Sequence, residues 1–183
     1  FLTFNGKKIS KSLGNAISAS ILVKRYGADA IRYFCLRHFP FGDDGDFSED
    51  SLIERHNSEL ADKLGNLVSR VSALVEKYGL EETEPLDISE TKKKVEDHLN
   101  KLEFDKALNV IFAFVDHCNE YVQTKKPWET KDTKVLYQLS NAIKDIAILL
   151  SAFIPETSKK ISEVFNFEIN YKGLEEKLKI SKI

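Results

Sequence analysis

The sequence predicts an all-α protein, an antiparallel helical bundle preceded by a short loop-and-helix segment. Two observations carry this. From Ser48 onward, apolar residues step by three and four almost throughout. The breaks between those stretches are short and carry Gly or Pro, as up-and-down bundles require. A third observation sets the scale: 183 residues, 42% apolar and 31% charged, hold one ordinary domain and room for a fragment of another. The turn-rich "PFGDDGDF" marks the expected division, with residues 1–45 on one side and 46–183 on the other.

The elements follow in order. "NGKKISKSLGN", residues 5–15, is a poor strand and a poor helix interior, because glycine costs backbone entropy in both. It reads as a loop offering ammonium groups from Lys8 and Lys11 and hydroxyls from Ser10 and Ser12, an inventory suited to a polyphosphate. "ISASILVKRYG" is a short helix stopped at Gly27, and "ADAIRYFCLRHF" is another with Ile31, Phe34, Cys35 and His38 on one face. His38 is expected as a core or rim histidine, since no ligand partner stands at helical spacing. Asp43, Asp44 and Asp46 lack the closing glutamate of a calcium loop and are read as a polar turn.

Phe47 can staple to the first turns of a helix capped by Ser48. Leu60, Leu64, Leu67, Val71 and Val75 then give that long helix one core side. Further helices are expected over roughly 89–101, 104–122 and 133–152, and Pro155 can open a last short one. Trp128, the only tryptophan, falls in the connection "KKPWETKD".

Composition excludes several classes of function. No apolar run approaches the ~20 residues of a membrane span, so no membrane partner is expected. Cys35 and Cys118 fit no metal spacing and are expected as buried free thiols of a reducing cytoplasm; no metal site is expected. The net charge of -2 hides an asymmetry. Residues 1–40 hold seven Lys/Arg against one Asp, or +6, while the rest hold 20 bases against 28 acids, or -8. An anionic ligand therefore belongs at the N-terminal end, and nucleic-acid contact in the bundle must be local. The chain has no methionine and opens on Phe-Leu-Thr-Phe, which favours an internal piece.

Asn66 and Arg70 stand about 100° and about 60° to the same side of Leu67, one turn apart beside the core. Both carry planar donors able to read base edges, and Trp128 can stack an unpaired base. Taken alone, the pair is better read as plain helix-surface residues, and a lone tryptophan commonly caps a core.

"KKISKSLGN", "YGADAIRYFCLR" and "DGDFSEDSLIERHNSELADKLGNLVSRV" together resemble the end of a class I aminoacyl-tRNA synthetase catalytic domain running into its helical anticodon-binding domain. "NSELADKLGNLVSR", "KPWE" and "SAFIPETSKKI" bring the likeness closest to methionyl-tRNA synthetases, over residues 1 to about 165. The opening loop is similar to that family's KMSKS signature with Ile9 for methionine. The resemblance implies that Lys11, with Lys8, is catalytic and that Lys8, Ser10, Lys11 and Ser12 bind ATP. It implies ATP with Mg2+ as the cofactor of the complete enzyme, with none held by this piece. It implies that Asn66, Arg70 and Trp128 recognise the CAU anticodon of methionine tRNA, and that residues 1–45 are the remnant of a catalytic domain with its stem-contact helices. No HxGH pattern occurs, so the piece alone is expected to be inactive. Its partner would be an upstream catalytic domain, on the same chain or as a separate subunit. The alternatives are the corresponding part of another class I synthetase, a stand-alone helical tRNA-binding module, and a plain structural bundle.

Overall fold

The computed structural model describes residues 2–9 and 18–170. Helices dominate, but the all-α expectation needs a correction: a three-stranded sheet, ordered β2-β1-β3, precedes the bundle. β1 (Leu2–Phe4) pairs antiparallel with β2 (Lys7–Lys8) and parallel with β3 (Gly45–Phe47). Asn5 and Gly6 both have positive φ, 49° and 71°, the backbone of a tight hairpin turn. Residues 5–8 are thus a hairpin end, where the sequence reading expected only loop. The Asn-Gly pair was the available signal, and strands this short carry no alternation to betray them.

Asp46 ties the hairpin to β3, its Oδ1 accepting from the Thr3 hydroxyl (2.6 Å) and the Gly6 N–H (2.7 Å). The expected polar turn is in part a strand with a structural carboxylate. Gly45 lies under the Phe39 ring, where a Cβ would come within 2.3 Å of it. The division expected between 45 and 46 falls inside β3.

α1 (Ala19–Tyr26) and α2 (Ala28–His38) follow as expected. Their small core contains Leu22, Phe34, Phe47 and Leu52. The expected face of α2 is rotated: Ala30, Tyr33 and Phe34 are buried, and Cys35 is exposed. Tyr33 points into the main core beside Phe112, and this turns Cys35 outward. The expectation of two buried cysteines therefore fails for Cys35. Cys118 is fully buried, and burial pushes its thiol up to about 12. His38 sits at the rim, stacked on Phe34 at 4.7 Å.

Ser48 caps α3 (Glu49–Arg55) by accepting the Ser51 N–H at 3.1 Å, and Phe47 and Leu52 staple its start. The helix continues through a π-helical segment (His56–Gly65) into α4 (Asn66–Tyr78). α5 (Ser89–Asn100), α6 (Phe104–Lys125), α7 (Pro127–Thr130), α8 (Thr133–Leu150) and α9 (Pro155–Phe165) complete the bundle. Leu64, Leu67, Val71 and Val75 join α6 and α8 in one continuous core. Among the described residues no helix is long and apolar enough to cross a membrane.

Candidate nucleic-acid interface

Asn66 opens α4 at the exit of the π-helical segment. Its backbone N–H reaches the Ala61 carbonyl, five residues back. Asn66's own side-chain amide takes the Asp62 carbonyl at 2.9 Å. The Asn66 side chain is exposed, Leu67 beside it is fully buried, and Arg70 is half-buried one turn on. The flank expected from helical spacing is therefore present.

Trp128 belongs to the single-turn helix α7, opened by Pro127, rather than to an irregular connection. Lys126 and Lys131, at φ 46° and 55°, turn the chain sharply on either side of it. The indole is 36% exposed, which leaves ring surface open to stacking.

Two sets of contacts flank α7 in the chain and reach the segments on either side of α4. Ahead of it, the Asn119 side-chain amide donates to the Lys63 carbonyl (3.2 Å), and Lys63 pairs with Asp116 (2.8 Å). After it, the Glu81 N–H donates to the Thr133 carbonyl (3.3 Å) and the Thr133 hydroxyl to Glu81 Oε2 (3.2 Å). The chain before and after α7 thus touches the two ends of the stretch 63–81, at Lys63 and at Glu81. Asn66 and Arg70 lie on that stretch, and Trp128 lies on the path between the two ties. The side chains of Arg70 and Trp128 have no hydrogen-bond, ion-pair or ring partner among the described residues. Lys125 extends over the Tyr121 ring at 5.5 Å, and Lys126 pairs loosely with Glu129 at 3.5 Å. Two planar side chains and one indole, all accessible and edged by lysines, can read and stack unpaired bases.

A carboxylate that the sequence reading missed connects this flank to α2. Glu59, within the π-helical segment, accepts from the Tyr33 hydroxyl (2.5 Å), Arg37 (3.0 and 3.3 Å) and Arg55 (3.1 Å). Burial raises its carboxyl, but the Tyr33 hydrogen bond, then Arg37 and Arg55, outweigh this and hold it below the usual range. Only Arg55, four residues before Glu59, was a legible signal in the sequence.

Of the opening loop, Lys8 stands exposed in β2. Ser10, Lys11 and Ser12 lie outside the described residues. Among the described residues no three His, Cys, Asp or Glu side chains gather to hold a metal. A hollow of about 730 Å³ runs along α4 and α9, lined by Ser69, Ser72, Glu76 and Val164. Asn66, Arg70 and Trp128 do not line it.

Residues 87–181 match the anticodon-binding domain of tRNA ligases. This chain belongs to that tRNA ligase family. Residues 1–72 match the class I tRNA synthetases of type M. The chain is 38% identical to the methionine–tRNA ligase of Clostridium tetani, over 92% of its own length and 30% of the relative's. It is 42% identical to that of Caldanaerobacter subterraneus, over 89% and 29%. It therefore spans about 30% of the length of these curated relatives. Among solved structures, the Mycobacterium tuberculosis methionyl-tRNA synthetase bound by methionyl-adenylate superposes with a TM-score of 0.89 at 25% identity. That match covers 98% of this chain and 40% of the other. The family's characteristic segment, 87–181, includes α7 and its tryptophan, whereas Asn66 and Arg70 fall in the class I match.

Proposed function

We propose that this chain is the C-terminal part of a methionine–tRNA ligase, carrying the loop that closes on ATP and reading the CAU anticodon of methionine tRNA. The observation that carries the reading is the accessibility of Asn66, Arg70 and Trp128, on α4 and α7, in a chain whose relatives are methionine–tRNA ligases. In this reading Trp128 stacks one anticodon base, and Asn66 and Arg70 hydrogen-bond base edges. Asn66 still has its side-chain oxygen to offer, since only its amide nitrogen is engaged by Asp62.

Lys8 and Lys11 serve the other half of the reaction. Activating methionine with ATP puts charge on the α-phosphate and on the departing pyrophosphate, and two ammonium groups brought over those oxygens stabilise it. Lys11 takes the larger part, with Ser10 and Ser12 as hydrogen-bonders. Mg2+ would travel on the nucleotide's phosphates, as it does at most triphosphate sites, and needs no cage in this chain. Residues 1–45 belong functionally to the catalytic half and 46–183 to the anticodon-binding half. Methionine binding and the rest of the nucleotide site fall to an upstream catalytic domain, in the cytoplasm.

The test is a titration of wild type and Trp128→Ala with a CAU stem-loop and a scrambled stem-loop. Trp128→Ala is expected to lose ~1–3 kcal/mol toward the CAU loop and little toward the other. Equal loss toward both RNAs, or none, would reject the anticodon reading. For the loop, Lys11→Ala in the complete enzyme should lower the turnover of methionine-dependent ATP–pyrophosphate exchange while leaving stem-loop affinity intact.

A further inference from the structure

α2 grips the bundle at both of its ends. In its second half Tyr33 and Arg37 hold Glu59, on the helix that goes on to bear Asn66 and Arg70. At its start, Asp29 and Arg32 hold the corner between α8 and α9. Arg32 donates through Nε to the Phe153 carbonyl and through Nη2 to the Ala152 carbonyl, each at 2.9 Å. Asp29 Oδ2 accepts the Thr157 N–H at 2.6 Å.

Each charge sits by the helix end of opposite sign. The guanidinium takes two carbonyls of the turn that follows α8, and the carboxylate takes an amide of the first turn of α9 that has no partner within the helix. α9 needs this help, because its N-cap residue, Ile154, has no side chain that can accept a hydrogen bond. Asp29 supplies the missing cap from 128 residues away. The carboxylate is itself buried, 8% exposed, and its Oδ1 has no partner. Burying a charge for packing alone would be costly, since an apolar residue fills space without it. What a two-point polar grip adds is direction: a forked guanidinium and a carboxylate one turn apart fix the angle of α2 as well as its distance.

We infer that Asp29 and Arg32 are positioning residues that set the angle between the opening segment and the flank bearing Asn66, Arg70 and Trp128. A single tRNA must reach both regions at once, so this angle governs productive docking of the whole tRNA. It does not govern recognition of the anticodon or activation of the amino acid. The inference rests on the function proposed above.

The experiment places Arg32→Ala, Arg32→Lys and Asp29→Asn in the complete enzyme and reads three quantities. These are methionine-dependent ATP–pyrophosphate exchange, affinity for a CAU stem-loop, and kcat/KM for charging full-length tRNA. Arg32→Ala is expected to leave the first two within about twofold and to lower the third by about ten- to hundredfold, the scale of a misplacement of about 1 Å. Arg32→Lys and Asp29→Asn keep part of the grip and should show a smaller loss in the third quantity alone. They carry the test if Arg32→Ala does not fold. Unchanged charging of full-length tRNA overturns the inference. So does a parallel fall of all three quantities with thermal stability, which would make the pair merely structural. A different pattern marks failure of the underlying function: wild-type protein that does not bind the CAU stem-loop removes that reading, and this inference with it.

Discussion

In the bundle, Leu67, Val71, Leu108, Ile111, Ile143 and Ile146 are all fully buried in one continuous core. Among the described residues the opening segment buries together Leu22, Phe34, Phe47 and Leu52, and carboxylates make its remaining ties. Asp46 holds the hairpin, Glu49 joins Arg25 and Tyr26, Glu59 gathers Tyr33, Arg37 and Arg55, and Asp29 caps α9. Fully burying an aliphatic side chain contributes about 1.5–3 kcal/mol without regard to direction, so the bundle's stability is large and spread out. The segment's polar ties are few and directional. Such a region opens at lower free energy than the domain it leans on. The lesson is a division of labour: area fixes the reading platform, and hydrogen bonds fix how the loop-bearing segment is held against it.

The largest expected effect comes from cutting into the bundle core. Leu67→Ala should cost about 2–5 kcal/mol of global stability, because Leu67 is fully buried between the elements that form the core. Chemical denaturation would show it as a lowered midpoint with an unchanged slope. Phe47→Ala should behave differently. It removes the ring that Phe4 and Phe34 both meet, at 6.0 and 5.4 Å, yet it touches only the small core. The bundle's unfolding free energy should move by less than about 1 kcal/mol, while amide protection in α1 and α2 falls sharply. If both substitutions shift one transition equally, the two regions fold as one unit and the contrast is wrong.

Acid should separate the regions further. The carboxyls of Asp46, Glu49 and Glu59 all titrate below their ordinary values of 3.8 and 4.5. For Asp46 the cause is first the Thr3 hydroxyl and then the Gly6 amide; for Glu49 it is first the Tyr26 hydroxyl. A carboxyl lowered on folding stabilises fully above its unfolded value, and that stabilisation disappears as pH falls through the folded one. The segment should therefore loosen between about pH 5 and pH 3. The bundle also holds lowered carboxyls, Glu103 at about 2 beside Lys106 and His98, but its continuous apolar core does not titrate and should persist. Hydrogen exchange across that range would report it, and Glu59→Gln should shrink the pH dependence of α2 in particular. A bundle that loosens first would contradict the assignment of forces.

How much of this was legible in the sequence follows the same division. Helical periodicity is written in steps of three and four, so α4, α6 and α8 could be placed from Leu67, Val71 and their successors, and the Asn66–Arg70 flank came with them. The sheet could not be placed the same way, since strands of two or three residues have no period, and β3 pairs with β1 across some forty positions. The rotated face of α2 was hidden for a related reason: Tyr33 is drawn toward Phe112 and Glu59, partners that local spacing does not reveal. The tie made by Asp29 and Arg32 has no local sign in the sequence, because their partners lie 120 to 128 residues away. Directional long-range ties leave no local pattern.

The smallest effect falls on the joint between the two regions. Ser48 stands in extended backbone at φ -135° and ψ 144°, accepts the Ser51 N–H, and donates its own proton to the Ser51 hydroxyl at 2.7 Å. Ser48→Ala removes an N-cap, a loss that typically costs about 1 kcal/mol. Where that cost appears is the informative part. The first turn of α3 carries Leu52, which packs with Phe47 and Phe34 rather than with the bundle. Fraying the helix from Ser48 therefore exposes the small core first, and it must pass Glu59 with its three partners before reaching Leu64. Ser48→Ala should reduce amide protection in 49–55 and around Phe34 while leaving α4 and stem-loop affinity unchanged. If protection at α4 falls as well, the helix from 49 to 78 responds as a single rod, and Glu59 does not mark the point where one region ends and the other begins.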